Sequence, residues 1–369
     1  MVKKAKTYSV PKMEEINRKK GMAGKVCSLF SGGGGSSLGY KMAGFSVIYA
    51  NEFVEEARAT YKINFPNTYV DGRDIRTVTP ESILEKTGLS VGELDVLDGS
   101  PPCCAFSTCG KRDKKWGQAR KYSDGKVQVI DDLFFEYIRI LDGLKPKVFV
   151  AENVKGLVMG TAKGYFNDIF KKMKDCGYEV RAAVINSKWL GVPQARERTI
   201  FMGVRKDLGL LPIYPKPHKN IVTLKQAFEG VQNSEEELAY LKKEYDDSSF
   251  GKILDKLPKN PTAPISASSV TEGGAYMNLK RESFYTTCST ICQRGGERGA
   301  AGNCHPIEDR KFTIPEIKRI MSIPDDFILT GDRGQQWERA GRMVPPLMMR
   351  EIALCVKEIL DEGRNSSRG

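Results

Sequence analysis

Four side chains in this chain have the types and spacing to do group-transfer chemistry. Cys103 lies in GSPPCCAFST, directly after the apolar run DVLD. Glu152 closes the next such run, in KVFVAEN, and Arg196 and Arg198 follow in QARER. The three segments fall where strands of an α/β sheet end, which is where such folds place their chemistry. Pro101 and Pro102 fix two φ angles and stiffen the approach to Cys103. A thiol is a nucleophile only as thiolate, and its ordinary pKa of about 8.5 must be lowered by nearby cations. Arg196 and Arg198 are the candidates.

An acyl-transfer reading needs a histidine base. The chain has only His218 and His305, both remote from these motifs. A reaction that uses a thiol and a carboxylic acid without histidine is alkylation at C5 of cytosine. Thiolate addition at C6 turns the ring into an enamine, and an acid near N3 stabilises the charge that develops.

A second motif, LFSGGGGSSLGY, puts four glycines after the apolar run KVCSLF. A glycine string implies close approach of a ligand to the main chain. It lacks the Gly-Lys-Ser/Thr ending of a P-loop and is not a literal G-x-G-x-x-G, but it keeps the strand–glycine turn–helix order. Glu52 follows Gly32 by twenty residues, where a carboxylate can accept from ribose hydroxyls. Asp74 is placed to reach an adenine amino group, and Phe30 to pack against the ring. The pattern favours an adenosine ligand without pyrophosphate, such as S-adenosylmethionine, with NAD the alternative.

The elements that must position these groups are legible as strand–helix alternation over residues 25–205. Strands are expected at KVCSLF, SVIYAN, DVLDGS, KVFVAEN, EVRAAVIN and TIFMGVR. Between them lie amphipathic stretches, including FVEEARATYKINF and DLFFEYIRILDGL. This predicts an α/β fold with a doubly wound, mostly parallel sheet. The proline-rich LPIYPKPHKN reads as a linker into a region without alternation. Thr313 and Glu316 then form a capping box ahead of IPEIKRIMS, and a last helix runs through LMMREIALCVKEIL. The expected organisation is a basic tail over 1–20, a catalytic and cofactor domain over 21–205, an inserted domain over 206–305, and a return to the first domain over 306–369.

The chain of 369 residues carries a net charge of +12, which favours a nucleic-acid partner. CGKRDKKWGQARK, just after Cys103, holds six basic residues and one acid. Lys111, Arg112, Lys114 and Lys115 are expected to face phosphates. Arg294 and Arg298 in QRGGERG suit entry into a groove. No apolar stretch approaches the ~20 residues of a membrane span, and the basic start lacks the apolar core of a secretory signal. Nine irregularly spaced cysteines read as reduced thiols in a cytoplasmic protein. A zinc set of Cys288, Cys292, Cys304 and His305 is disfavoured by its spacing, so no metal is expected.

Taken in order, these motifs resemble the DNA cytosine-5 methyltransferase family of bacteria and phages. LFSGGGG resembles its first cofactor motif, GSPPCCAFS the nucleophile motif, ENV the acid motif and QARER the Gln-x-Arg-x-Arg motif. DRKFTIPEIKRIMSIPDDF and GRMVPPLMMREIA resemble the last two. The resemblance implies base flipping, Cys103 as nucleophile, Glu152 as the N3 partner, and residues 206–305 as a target-recognition domain. It implies S-adenosylmethionine as cofactor, held by Phe30, Ser31, Gly32, Gly34, Glu52, Phe53, Asp74, Ile75, Ser100, Pro102, Leu133, Arg342, Met343 and Val344. It adds Gln194 to the DNA contacts. The implied partner is double-stranded DNA in the cytoplasm of a bacterial or phage-infected cell, at the nucleoid. A cognate restriction endonuclease is a candidate partner, and the chain is expected to be a monomer. RNA cytosine methylation and a silent DNA-binding relative are the alternatives.

Three positions depart from the family pattern. Ser28 stands where many relatives have an acid. Cys104 replaces a frequent glutamine. Arg342 replaces a usual asparagine near the reacting end of the cofactor. A second cation about 5 Å from a sulfonium costs about 3 kcal/mol at an effective dielectric near 20. A DNA phosphate, a local carboxylate, or a donor that is itself anionic, carboxy-S-adenosylmethionine, would each relieve that cost; the last would leave 5-carboxymethylcytosine.

Overall fold

The computed structural model describes residues 8–18, 21–102, 120–121, 127–128, 132–159, 163–271, 279–293, 295 and 302–366. Contacts divide the chain into two compact units. One comprises Ile16–Asn186, Glu197–Lys216 and Met349–Gly369; the other comprises Met1–Glu15, Ser187–Arg196 and Pro217–Met348.

The first unit is built on a seven-stranded sheet. Its strands are β1 (Lys25–Leu29), β2 (Ser46–Asn51), β3 (Tyr69–Asp71), β4 (Val96–Gly99), β7 (Val148–Val154), β8 (Tyr178–Asn186) and β9 (Glu197–Arg205). A two-stranded pair, β5 (Arg120–Lys121) and β6 (Val127–Gln128), stands apart from it. The sheet order is β3-β2-β1-β4-β7-β9-β8. All neighbours from β3 to β7 pair in parallel, and β9 runs antiparallel to both β7 and β8. The expected doubly wound, mostly parallel sheet is therefore what forms. β4 and β7 are continuous buried runs, as strands covered on both faces must be.

Helices α2 (Gly35–Met42), α3 (Glu55–Asn64), α4 (Pro80–Thr87), α5 (Leu133–Leu144) and α6 (Lys163–Asp175) make the crossovers. α5 buries Leu133, Phe134, Tyr137, Ile138 and Leu141, the stripe its spacing predicts. Tyr137 donates to the carbonyls of Leu97 and Val150, both at 3.1 Å, and so ties α5 to β4 and β7. α4 has its N-cap at Thr79, proline at its first position, and Gly88 in the left-handed region at its end.

The second unit holds α7 (Leu224–Phe228), α8 (Glu235–Asp246), α9 (Ser249–Leu254), α10 (Ile314–Ile320) and α11 (Arg333–Arg342). Its small sheet is β10 (Ile265–Ser266), β11 (Leu279–Arg281) and β12 (Gly302–Cys304). A short helix α1 (Met13–Asn17) lies near the start, and α12 (Pro346–Ser366) ends the described chain.

The unit boundaries differ from the expected 206 and 306. Residues up to Lys216 stay with the large sheet, because Tyr214 donates to the carbonyls of Arg181 and Ile200. Residues 306–348 pack with the inserted region. Thr313 donates to Asn233 at 2.7 Å, the Ile314 amide to Glu237 at 2.9 Å, and Arg333 pairs with Glu237 at 3.1 Å. The capping box of Thr313 and Glu316 is present, and Arg310 holds the same glutamate at 2.7 Å.

Candidate active site

The strand order reverses between β1 and β4, so the sheet has its topological switch point there. The glycine turn leaves β1, and the Ser100–Pro101–Pro102 segment leaves β4. Both flank the crevice in which open α/β sheets bind ligands.

The turn after β1 is built around left-handed backbone. Phe30 has φ 54°, Gly32 φ 54° and Gly34 φ 96°. A phenylalanine in that region is uncommon and strained, and such strain gathers at functional sites. The two glycines serve different ends. A Cβ on Gly34 would lie 2.3 Å from the Phe65 ring, so this glycine is required by packing. A Cβ on Gly32 would meet nothing within 4 Å, so this position opens onto free space. Glu52 accepts from the Gly32 amide at 2.7 Å with one oxygen and from the Val54 amide at 2.8 Å with the other. Ser31 donates to the Ser28 carbonyl, which fixes the start of the turn.

These residues fit an adenosyl cofactor. The open cradle at Gly32 has a fixed carboxylate beside it, and Phe30, Phe53, Asp74 and Ser100 are half-buried at the same sheet edge. Ile75 and Leu133 lie deeper, within the core beneath. Asp74 accepts from the Arg76 amide at 3.1 Å and pairs with its guanidinium at 3.3 Å.

The acid is held by register. Val154 of β7 faces Arg198 of β9, so Glu152, two residues back, is the diagonal neighbour of Arg198 on the same face. Arg198 Nε lies 2.7 Å from Glu152 Oε1, with both side chains nearly buried. Asn153, which the motif reading passed over, donates to the Pro101 carbonyl at 3.0 Å. It links the end of β7 to the proline segment that leads to Cys103. Its position between Glu152 and Val154 was the available signal. Cys103 itself lies outside the described residues, as do Cys104, Lys111, Arg112, Lys114, Lys115, Arg294 and Arg298.

A family model described as C-5 cytosine-specific DNA methylase matches residues 24–358. The chain belongs to that family. Among curated relatives, the type II methyltransferase M.NgoPII of Neisseria gonorrhoeae is 31% identical over 91% of this chain and 96% of its own length. M.NgoFVII of the same organism is 30% identical over 92% and 87%. Among solved structures, a DNA modification methyltransferase from an E. coli prophage has a TM-score of 0.69 at 22% identity, over 91% of this chain and 99% of its own. Dnmt2 of S. pombe has a TM-score of 0.61 at 14% identity, over 92% and 98%; these two show the fold.

Other family-implied residues have roles inside the second unit. Arg196 is buried and donates to the carbonyls of Ile291 at 3.1 Å and Gly341 at 3.0 Å. It braces two backbone segments, while Arg198 takes the acid. Gln194, expected at the DNA, is fully buried. Its amide accepts from the Ile291 N–H and contacts the Met321 sulfur, so that side chain works as an internal brace. Arg342 pairs with Glu338 at 2.6 Å, one turn earlier in α11, and Met343 and Val344 are buried. The local-carboxylate relief of its charge is thus present. His305 accepts at Nδ1 from the amides of Ile307 and Glu308 and stacks on Phe228. It is a satisfied core histidine, and among the described residues no group of three or more His, Cys, Asp or Glu is arranged to hold a metal.

Proposed function

We propose that this methylase transfers a methyl group to C5 of a cytosine flipped out of duplex DNA. The observation that carries the reading is Glu152 fixed by Arg198 at the end of β7, with Asn153 tying that end to the proline segment before Cys103. The Cys103 thiolate adds to C6 of the flipped base. The carboxyl group of Glu152 hydrogen-bonds N3 and stabilises the charge that develops there. C5 becomes an enamine carbon and takes the methyl group. A base then removes the C5 proton, the Sγ–C6 bond breaks, and the ring is restored. S-adenosylmethionine would supply the electrophilic methyl and leave as S-adenosylhomocysteine, and the Gly32 cradle and Glu52 would hold it.

The basic segment 109–121, with Lys111, Arg112, Lys114 and Lys115, serves the phosphates, and the inserted region with Arg294 and Arg298 reads the sequence. Trp337 supports that segment by donating to the Cys292 carbonyl at 2.9 Å. No helix among the described residues is long and apolar enough to cross a membrane. We place the protein with DNA in the cytoplasm, alongside a cognate endonuclease if it serves restriction–modification.

The test offers tritiated S-adenosylmethionine with duplex DNA and with transfer RNA. Label at C5 of DNA cytosine is the expected result. Label confined to RNA, or none with either, overturns the reading. A second reading rests on Arg342, a cation whose side chain is 42% exposed. In that reading the donor is carboxy-S-adenosylmethionine, whose carboxylate a guanidinium matches with two parallel hydrogen bonds. Mass spectrometry of DNA treated with each donor separates methylcytosine from carboxymethylcytosine. The Glu338 pair favours the methyl product.

A further inference from the structure

Beneath the glycine turn lies a polar cluster that the reaction does not use. Asp98 of β4 is the register partner of Ser28 of β1, across the switch point itself. It is 1% exposed and accepts from the Ser28 hydroxyl at 2.9 Å through Oδ2. Ser36 and Tyr40 of α2 bring their hydroxyls to the same carboxyl, yet none closes a bond of ordinary geometry. Among the described residues, Asp98 Oδ1, Ser36 Oγ and Tyr40 Oη are buried polar atoms with no hydrogen-bond partner of ordinary geometry. Such a group in a native core calls for a reason, because each costs a desolvation penalty.

We propose that Asp98 is the positioning carboxylate of the glycine turn, holding β1 through the Ser28 hydroxyl and drawing in the Ser36 and Tyr40 hydroxyl dipoles of α2 so that the Gly32 cradle is formed for the adenosyl cofactor. This rests on the reading of that turn as the cofactor site. The acid of this cluster sits one strand over from Ser28, directly opposite it in register. A negative charge at this place also suits the N-terminal end of α2.

The groups facing Asp98 are Ser28 on β1, Ser36 and Tyr40 on α2, Tyr61 on α3, Tyr137 on α5 and Glu152 on β7. Burial pushes its carboxyl up to about 7. Below that pH the protonated acid accepts fewer hydroxyls, so the cradle loosens as pH falls.

Isothermal titration with S-adenosylhomocysteine tests the proposal in the full chain. Asp98→Asn should bind about tenfold more weakly at pH 8. The wild type should lose a similar factor between pH 8 and pH 6, and Asp98→Asn should show a flat profile. The exchange of Ser28→Asp with Asp98→Ser restores the acid from the other strand and should recover affinity to within about threefold. Unchanged binding by Asp98→Asn, or a folded exchange variant as weak as Asp98→Ser alone, overturns the proposal. A wild type that does not bind S-adenosylhomocysteine overturns instead the cofactor reading on which it stands.

Discussion

Arg198 and Glu152 sit diagonally across β9 and β7, 2.7 Å apart at Nε and Oε1. Their sequence separation conceals this, and the antiparallel register produces it. The pair gives the carboxyl a fixed orientation in a nearly dry place, which an acid facing a ring nitrogen requires.

Removing the guanidinium leaves that carboxylate buried without its cation. Arg198→Met should lower folding stability by about 3 kcal/mol in urea titrations. Methyl transfer by the fraction that remains folded should fall by roughly 100-fold or more. Equal activity in the two proteins would remove Arg198 from the site.

Replacement of the sulfur at Cys103 separates chemistry from fold. Cys103→Ser should keep the wild-type melting temperature and lose both labelled transfer and the covalent adduct with 5-fluorocytosine DNA. Turnover near the wild-type rate would require another nucleophile.

The two glycines of the cofactor turn should respond differently to alanine. Gly34→Ala meets the Phe65 ring and a φ of 96°, so it should destabilise the fold by roughly 2 kcal/mol or more. Gly32→Ala meets only the left-handed φ, with an expected cost of about 1 kcal/mol. Its methyl points into the open cradle, so S-adenosylhomocysteine affinity should fall more than stability does. Calorimetry with and without ligand reads both.

His305 makes stability depend on pH. Burial beside Phe228, Phe284 and Phe312 lowers its pKa below the ordinary value. The folded state therefore prefers the neutral ring. Its contribution is complete above the unfolded pKa of about 6.5 and is lost as pH falls from there. At pH 5 the fold should be measurably less stable than at pH 7. His305→Gln should flatten that part of the melting curve between pH 7 and 5, and an unchanged slope would assign it to other groups.

The basic segment after Cys103 should set the salt dependence of DNA binding. Neutralising Lys111, Arg112, Lys114 and Lys115 together should reduce the slope of log affinity against log salt by roughly 3–4. An unchanged slope would move the phosphate contacts elsewhere.

The sequence by itself determined the chemistry-bearing residue types and the elements that carry them. A buried parallel strand is an apolar run and a crossover helix is a periodic stripe, so β2 over Ser46–Asn51 and the buried face of α5 were readable locally. The capping box at Thr313 was readable for the same reason: its partners are three residues apart. Only the tertiary structure decided which arginine takes the acid, that Gln194 and Arg196 brace the inside of the second unit, and that residues 306–348 pack with the inserted region. It also decided that Asp98 lies opposite Ser28. Those pairings depend on strand order and register, which bring together residues tens to more than a hundred positions apart. No local pattern encodes them, because the free energy that selects them comes from burial shared across the whole sheet.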